Sequence, residues 1–478
     1  MKNSNISTDL LSPVLDGGIH NTNFFNGRLL SAEDMLREQQ ANRLQHQQLG
    51  QAIGEGVVSG LEVSERKVVA SPPGKPSCIV TVSAGMAINR LGQTLCLPAN
   101  TDVALVREKE VADEDAGLFS PCTKPIGTDL LSGTGIYILV IAPASGYEGQ
   151  APVSGLGGDL SGRGGCRRRD TVEGVQFRLV RVKLGSLPNI SAETAGEITR
   201  CAMAIESGTE KQKNLSLLRN LLAHLCFGTA ELAGFARDPF RRVENASPYS
   251  SYGVADALRS GKTPALTDCD VPLGLVYWNP DGIQFIDQWS VRRRPVSRPL
   301  TGSWPLYFSQ RRRAEGEAIF EQFQDQLNQL LTNSSQSLLP QLTAAGWFRY
   351  LPAAGMIPVN SGYVTRYMQE NGAAKFAVSS PSSGIDPSIF LAGVTCRKPA
   401  FIEGAQMVNI FSDSHIYPPI DVARGEFIFL YLVRENIEAL KESAPPQPYI
   451  VFTSGHLPYR GNARLDLARY DFSSYASI

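Results

Sequence analysis

The sequence predicts an α+β protein: several small antiparallel β modules, sandwich- or barrel-like, separated by helical segments. Short apolar runs bounded by turn residues recur in "CIVTVSAGMAINRLGQTLCLP" (78–98), "TGIYILVIAPA" (134–144) and "GEFIFLYLVREN" (425–436), the signature of strands joined by tight turns. Between them the spacing changes. In "NLSLLRNLLAHLCF" (214–227), Leu215, Leu218, Leu222 and Leu225 recur every three or four residues, a core-facing helical stripe. Phe320, Phe323, Leu327 and Leu330 repeat that spacing within a helix expected over 310–331.

The elements follow in order along the chain. Ser31 and Asp34 form a capping-box pattern that opens a helix over 31–53, where a side-chain oxygen caps a free amide. Met35, Leu36, Leu44 and Leu49 lie near one stripe of a helix otherwise made of Gln, Asn, Arg and Glu. So polar a helix gains little from burial in its own domain, and it reads as a surface or subunit-contacting helix. Strands occupy 56–107, 134–144 and 175–184, and "GYEGQAPVSGLGGDLSGRGGCRRRD" (146–170) has the composition of an exposed Gly-rich loop. Helices fill 191–233. "DVPLGLVYWNPDGIQFIDQWSVRRRPV" (270–296) reads as two strands turning at Asn279–Gly282. "PYIVFTSG" (448–455) is the last clear strand.

At 478 residues the chain is long enough for about three domains. The pattern divides it into an N-terminal arm and polar helix (1–55), a β domain (56–185) with a Gly-rich insertion (146–165), and a helical segment (186–265). A β-hairpin plus helix connector (266–345) and a C-terminal β domain (346–478) complete it, and no repeat of fixed period is present.

Composition excludes several classes. Hydrophobic residues make up 42%, enough for real cores and against bulk disorder. A net charge of -1, from 45 basic and 46 acidic residues, argues against nucleic acid as a partner. No apolar run reaches the ~18 residues of a membrane helix. The opening residues lack the apolar region of a signal peptide, so cytoplasmic synthesis is expected. The eight cysteines form no C-x-x-C pair and no histidine completes zinc-ligand spacing. They read as reduced, mostly buried thiols, and no metal or cofactor is expected.

Catalytic patterns are weak. "SGKT" (260–263) resembles the end of a phosphate-binding loop, but Asp256 stands where that loop needs glycine, and Pro264 follows at once. No G-x-S-x-G or H-E-x-x-H occurs. His224 sits in the Leu-rich helix and reads as a core or interfacial residue. Asp413 with His415, and Asp268 with Asp270, are two-residue coincidences. No enzymatic activity is expected. Three arginine triplets, Arg167–Arg169, Arg292–Arg294 and Arg311–Arg313, are better read as protein-interface residues, because the guanidinium fork makes bidentate pairs. Glu315 and Glu317 follow Arg311 and Arg313 at i+4, so part of that triplet is a solvated helix face.

Several motifs, in order, carry a resemblance. "NFFNGRLLSAEDMLREQQANRLQHQQLGQAIGEGVVSGLEV" (23–63), "VTVSAGMAINRLGQTL" (80–95), "CRRRDTVEGVQFRLV" (166–180), "VPLGLVYWNPDGIQFIDQWSVRRRPV" (271–296), "FRYLPAAGMIPV" (348–359), "LYLVREN" (430–436) and "PYRGNARLDLARYDFSSYA" (458–476) are similar to segments of a baseplate- and tail-associated family encoded with phage-tail-like contractile injection systems. In layout the chain more distantly resembles the type VI secretion baseplate subunit that contacts the membrane complex. The Gly-rich insertion and the helical stretch 191–245 match nothing in that pattern.

The resemblance implies a structural baseplate or baseplate-proximal component, assembled as a homotrimer with other baseplate or tail subunits inside an injection particle. A membrane-anchor or receptor protein is a further implied partner, without direct membrane insertion. Phe24, Phe25, Arg28, Leu29 and Leu30, together with Arg292, Arg293 and Arg294, are the expected assembly contacts. The alternative is a receptor-binding fibre or adhesin of such a particle, recognising a surface glycan or protein through the Tyr and Trp residues of 346–478.

Overall fold

The computed structural model describes residues 15, 18–66, 79–105, 135–152, 166–183, 192–229, 253–259, 264–279, 281–296, 310–333, 342–371, 376–378 and 384–461. The fold is α+β, with open sheets and no closed barrel among these residues. Helix α1 (Ala32–Ile53) begins with the capping box read from the sequence. Asp34 donates its amide to Ser31 Oγ at 3.2 Å, and the Ser31 amide donates to Asp34 Oδ2 at 3.1 Å. At its far end α1 meets the turn at Asn89–Gly92: a Cβ on Gly50 would strike the Gly92 carbonyl, and one on Gly92 would strike that of Gln47. Only glycine permits this approach.

Six short strands follow: β1 (Gly56–Gly60), β2 (Val63–Glu65), β3 (Ile79–Val82), β4 (Gly85–Ile88), β5 (Thr94–Leu97) and β6 (Thr101–Ala104). They form two three-stranded antiparallel sheets, β1-β4-β5 and β2-β3-β6. The chain changes sheet at Gly60 and Leu61, both at positive φ. Their inward side chains, Val57, Leu61, Val80, Val82 and Leu95 among them, pack against one face of a larger sheet.

That larger sheet has the order β10-β9-β7-β8 and is antiparallel throughout. Its strands are β7 (Gly135–Pro152), β8 (Cys166–Arg181), β9 (Val271–Asn279) and β10 (Gly282–Asp287). β7 explains its continuous apolar run. Tyr137, Leu139 and Ile141 point to the small sheets, whereas Ile136, Ile138 and Val140 point to the helices. With period-2 alternation, a strand covered on both faces has no polar positions to show. The hairpin 271–287 pairs with β7, so the boundary expected between a β domain ending at 185 and a connector starting at 266 does not separate structural units. The turn itself is as read, with Gly282 paired to Asn279 at φ +109°. The stretch expected as loop over 146–170 is strand from 146 to 152 and again from 166 onward.

Helices α2 (Ala192–Glu206) and α3 (Lys211–Phe227) cover the other face of this sheet. Leu218, Leu222 and Leu225 face it as the spacing predicts, yet every side chain from Ser216 to Phe227 is buried. The rest of α3 is enclosed by α5 (Gln310–Asn333) and by the C-terminal unit. α4 (Val254–Arg259) packs its Val254 into the same core.

The C-terminal unit departs from a pure β domain. Beside α6 (Ala344–Trp347) and the paired β11 (Tyr350–Leu351) and β14 (Ile420–Asp421), it holds a four-stranded sheet in the order β12-β16-β15-β13. These strands are β12 (Ala354–Pro358), β13 (Ala400–Ile402), β15 (Ile428–Val433) and β16 (Tyr449–Ser454). β13 runs parallel to β15, a connection that needs a crossover. α7 (Ser361–Glu370), α8 (Pro387–Phe390), α9 (Gly404–Ser414) and α10 (Arg434–Ala439) complete the unit, with apolar clusters on both sides of the sheet. Among the cysteines, Cys201 and Cys226 are buried free thiols, Cys96 and Cys396 are exposed, and Cys269 is disulfide-bonded. The expectation of eight reduced, mostly buried thiols is corrected to that extent. No helix among the described residues is long and apolar enough to cross a membrane.

α3 joins the two halves through polar side chains. Arg219 is 5% exposed and Asp287 0%; Arg219 donates to Asp287 Oδ2 at 2.7 Å, to Asp325 Oδ2 at 2.6 Å and to Gln329 Oε1 at 2.7 Å. Asn220 donates to the Tyr350 carbonyl and accepts from the Arg349 and Tyr350 amides at 2.9 and 2.8 Å. Ser216 Oγ donates to the Trp347 carbonyl at 2.8 Å. Burial alone would raise the Asp287 carboxyl, but Arg219, Ser290 and Gln322 outweigh it and hold it below its ordinary range. Arg219→Ala leaves Asp287 buried without its cation, and should destabilise by about 3–5 kcal/mol. Chemical denaturation of the purified chain reads this directly, and Asp325→Ala, at the exposed side of the cluster, should have a smaller effect.

The His224 ring lies 4.7 Å from that of Tyr350, tilted by 32°, and shares a 2.7 Å hydrogen bond between Nδ1 and Thr229 Oγ1. Burial pushes its pKa down to about 3 against the opposing pull of Asp287. Below pH 6.5 the unfolded chain takes up a proton on this ring that the folded chain refuses. Stability from this residue is therefore complete above pH 6.5 and falls as pH drops toward 3, by up to about 1.4 kcal/mol per pH unit. Denaturation midpoints between pH 7 and 5 should decline more steeply in wild type than in His224→Gln.

Candidate assembly surface

The turn before α1 places polar groups inside and apolar groups outside. Asp34, on the first turn of α1, is its hub. Its carboxylate accepts from Arg28 Nη2 at 2.5 Å and from the Ser31 amide and hydroxyl at 3.1 and 3.0 Å. Its carbonyl accepts from Thr22 Oγ1 at 2.8 Å. Arg28 also donates from Nη1 to the Asn23 carbonyl at 2.6 Å, and its guanidinium lies 5.8 Å from the centre of the Phe25 ring. The chain reverses through an Arg28 amide to Phe25 carbonyl bond at 3.2 Å, with Gly27 at φ +90°, a backbone region that favours glycine. The Ser31 amide and hydroxyl, with Arg28 close by, hold the Asp34 carboxyl below the usual carboxylate range.

Phe24, Phe25, Leu29 and Leu30 are left 54%, 62%, 93% and 52% exposed. The structure thus brings together five of the eight residues singled out in the sequence, Phe24, Phe25, Arg28, Leu29 and Leu30. Arg28 turns inward as the brace of the loop, and the other four form its outer surface. Met35, Leu36, Leu44, Leu49 and Ile53 extend the exposed apolar surface along α1. They do not form one stripe: adjacent residues such as Met35 and Leu36 lie about 100° apart around a helix. Ala41 and Gly50 are the small residues on which α1 rests, and Arg43 ties it to Glu173 of β8 at 2.8 Å.

Arg292, Arg293 and Arg294 serve different ends. Arg292 donates to the Leu61 and Gly60 carbonyls at 2.9 and 2.5 Å, and Arg293 to the carbonyls of Trp289, Arg292 and Ser290. The Arg293 guanidinium also lies 4.8 Å from the Phe227 ring centre. These two staple the chain to itself: their donors are directed at carbonyls of sheet-switch and turn residues. Arg294 is exposed and pairs with Glu317 of α5 at 2.7 Å, so Glu317 is tied to another element of the same chain.

The other sequence candidates resolve as structure. His224 is a core residue. Asp413 pairs with Arg460 at 2.9 Å. Asp270 is buried against Arg178 and accepts from the Thr267 amide and hydroxyl, while Asp268 is exposed, 3.9 Å from Arg90. The stretch 260–263 lies outside the described residues. A cavity of about 100 Å³ is lined by residues including Glu55, Arg90, Arg259, Asp270, Arg293 and Glu315. Arg90 and Arg259 both reach Glu55, at 2.5 and 3.6 Å, so charges of both signs meet there. No group of three His, Cys, Asp or Glu residues among the described residues is arranged to hold a metal.

Sequence reading missed Thr22 and the hub role of Asp34. The capping box gave Asp34 one function, but nothing in the spacing shows that Arg28 and Thr22 fold back onto it. No family model and no curated protein matches the chain.

Asp34→Ala removes the hub and the returning half of the capping box, whereas the Ser31 hydroxyl still accepts from the backbone amide of residue 34, and should loosen the turn before α1 and its first turn. Amide exchange over 22–36 should accelerate, with that of β7 and β9 unchanged. Asp34→Asn should fall between the two, because its side-chain oxygen still accepts.

Proposed function

We propose that this chain is a structural component, without catalytic activity, of a phage-tail-like contractile injection particle. It sits at or near the baseplate and assembles as a homotrimer. The observation that carries the reading is the N-terminal turn, in which polar side chains brace the loop from within and Phe24, Phe25, Leu29 and Leu30 face solvent. Contiguous exposed apolar side chains of this kind mark interaction sites. Because the turn is preformed, docking it requires little further ordering. α1 extends that surface with apolar residues on several sides, as suits a helix set among neighbouring subunits. The ordered motifs that resemble the injection-system family supply the kind of particle.

The receptor-binding reading has less in its favour. Of the aromatic residues expected to form a sugar platform, Trp347, Tyr350, Tyr363 and Tyr431 are buried.

Phe24→Ala with Phe25→Ala should leave the fold intact, because neither ring is buried, and abolish both trimer and particle incorporation. Sedimentation of sheath-containing particles from cells carrying a tagged chain measures the second effect, and light scattering of the purified protein the first. A double variant that still enters particles at the wild-type ratio would overturn the assignment of this surface.

A further inference from the structure

β7 and β8 are much longer than the sheet they belong to. β9 stops pairing with β7 at Ile141, opposite Val271, but β7 and β8 continue together to Pro152 and Cys166. From Ala144 to Pro152 the ribbon extends roughly 25 Å at ~3.4 Å per residue. Residues 146–150 and 168–174 are exposed without alternation, so neither face is covered by the described residues. Among the described residues, a Cβ on Gly146 or Gly174 would touch nothing. A two-stranded ribbon is marginal by itself in water, and beyond Ile141 this one pairs with no further strand among the described residues.

Its charges are poorly matched internally. Glu148 stands directly opposite Asp170, a cross-strand pairing of like charges that destabilises a ribbon. Arg168, opposite Gln150, lies over the Tyr147 ring at 4.8 Å. Arg169, 70% exposed, reaches Asp170 only at 3.6 Å. Carboxylates and guanidinium groups thus occupy neighbouring rungs of one ribbon. Two such ribbons, offset by a rung or two, would place the arginines of each against the carboxylates of the other.

We infer that the distal β7–β8 ribbon, residues 144–152 and 166–174, is an arm that packs on the same arm of a second copy of this chain. Charge complementarity selects this occupant, because the ribbon carries both halves of the contact. The inference rests on the assembly reading above and adds a second contact to it, tied to α1 by Arg43 and Glu173.

The test uses the full-length chain in sedimentation velocity at low and high salt. Glu148→Arg with Asp170→Arg makes the arm predominantly basic, Glu173 keeping its carboxylate; Arg168→Glu with Arg169→Glu makes it predominantly acidic. Each variant alone should lose the associated species that wild type forms, and mixing the two should regenerate species containing both. Glu148→Gln with Asp170→Asn controls for damage to the arm: it relieves the internal repulsion, so the ribbon persists, yet association should weaken. Unchanged association in all three variants, or a monomeric wild type, would overturn the inference. If the arm variants associate normally while Phe24→Ala with Phe25→Ala does not, only the arm assignment fails. If the arm variants fail to associate but the chain is absent from particles, the arm stands and the particle assignment fails.

Discussion

The buried pair Arg219–Asp287 is the constraint on which the rest of the molecule depends. Asp287 ends β10, the edge strand of the large sheet; Arg219 lies in the middle of α3; Asp325 and Gln329 belong to α5, which leads into the C-terminal unit. Removing two charges from water costs several kcal/mol each, and only close geometry with further hydrogen bonds offsets it. Ser290 and Gln322 supply those bonds to Asp287. An arrangement with so many fixed partners tolerates one placement of the large sheet, α3 and α5. Leucine packing alone would leave helix α3 more ways to sit, since apolar contact is not directional. The polar side chains of α3 therefore set register, while Leu218, Leu222 and Leu225 supply apolar burial.

The same division of labour returns, inverted, at the N-terminal turn. In α3 charged groups are enclosed by apolar ones; before α1 a charged hub is surrounded by apolar groups that face outward. Both use a carboxylate that accepts from an arginine and from a nearby serine: Asp287 from Arg219 and Ser290, Asp34 from Arg28 and Ser31. The difference is solvent. Asp287 holds the interior together, whereas Asp34 shapes a loop whose apolar side chains are left more than half exposed. A short loop that folds around a carboxylate turns its remaining side chains outward by geometry, and here those are two phenylalanines and two leucines.

Much of this was legible in the sequence wherever a local rule was enough. The α1 capping box, the Asn279–Gly282 turn and the leucines of α3 were found because each depends on residues within a few positions. Long-range pairing left no such mark. Nothing in "VPLGLVYWN" says that it pairs with β7 more than a hundred residues earlier, so the sheet crossed a boundary that the helical segment suggested. The arm has the composition of a loop for a related reason: its glycines and charges lack strand propensity, and it is pairing between β7 and β8 that makes it a strand. At the assembly surface, the apolar residues could be named from the sequence, but the inward bracing by Arg28 and Thr22 could not.

The arginine triplets show most clearly where sequence reading stops. Arg292–Arg294 and Arg167–Arg169 look alike as strings, yet their environments differ. Arg292 and Arg293 follow a buried turn, where carbonyls without ladder partners are close by, and their planar forks satisfy several at once. Arg168 and Arg169 lie on a ribbon whose carbonyls are within reach of water, so those forks meet an aromatic ring and a neighbouring carboxylate instead. A guanidinium is drawn to the acceptors that are least well solvated. Inside a fold those acceptors belong to the chain itself; on an exposed arm the strongest ones available are carboxylates, including those that a second arm would bring.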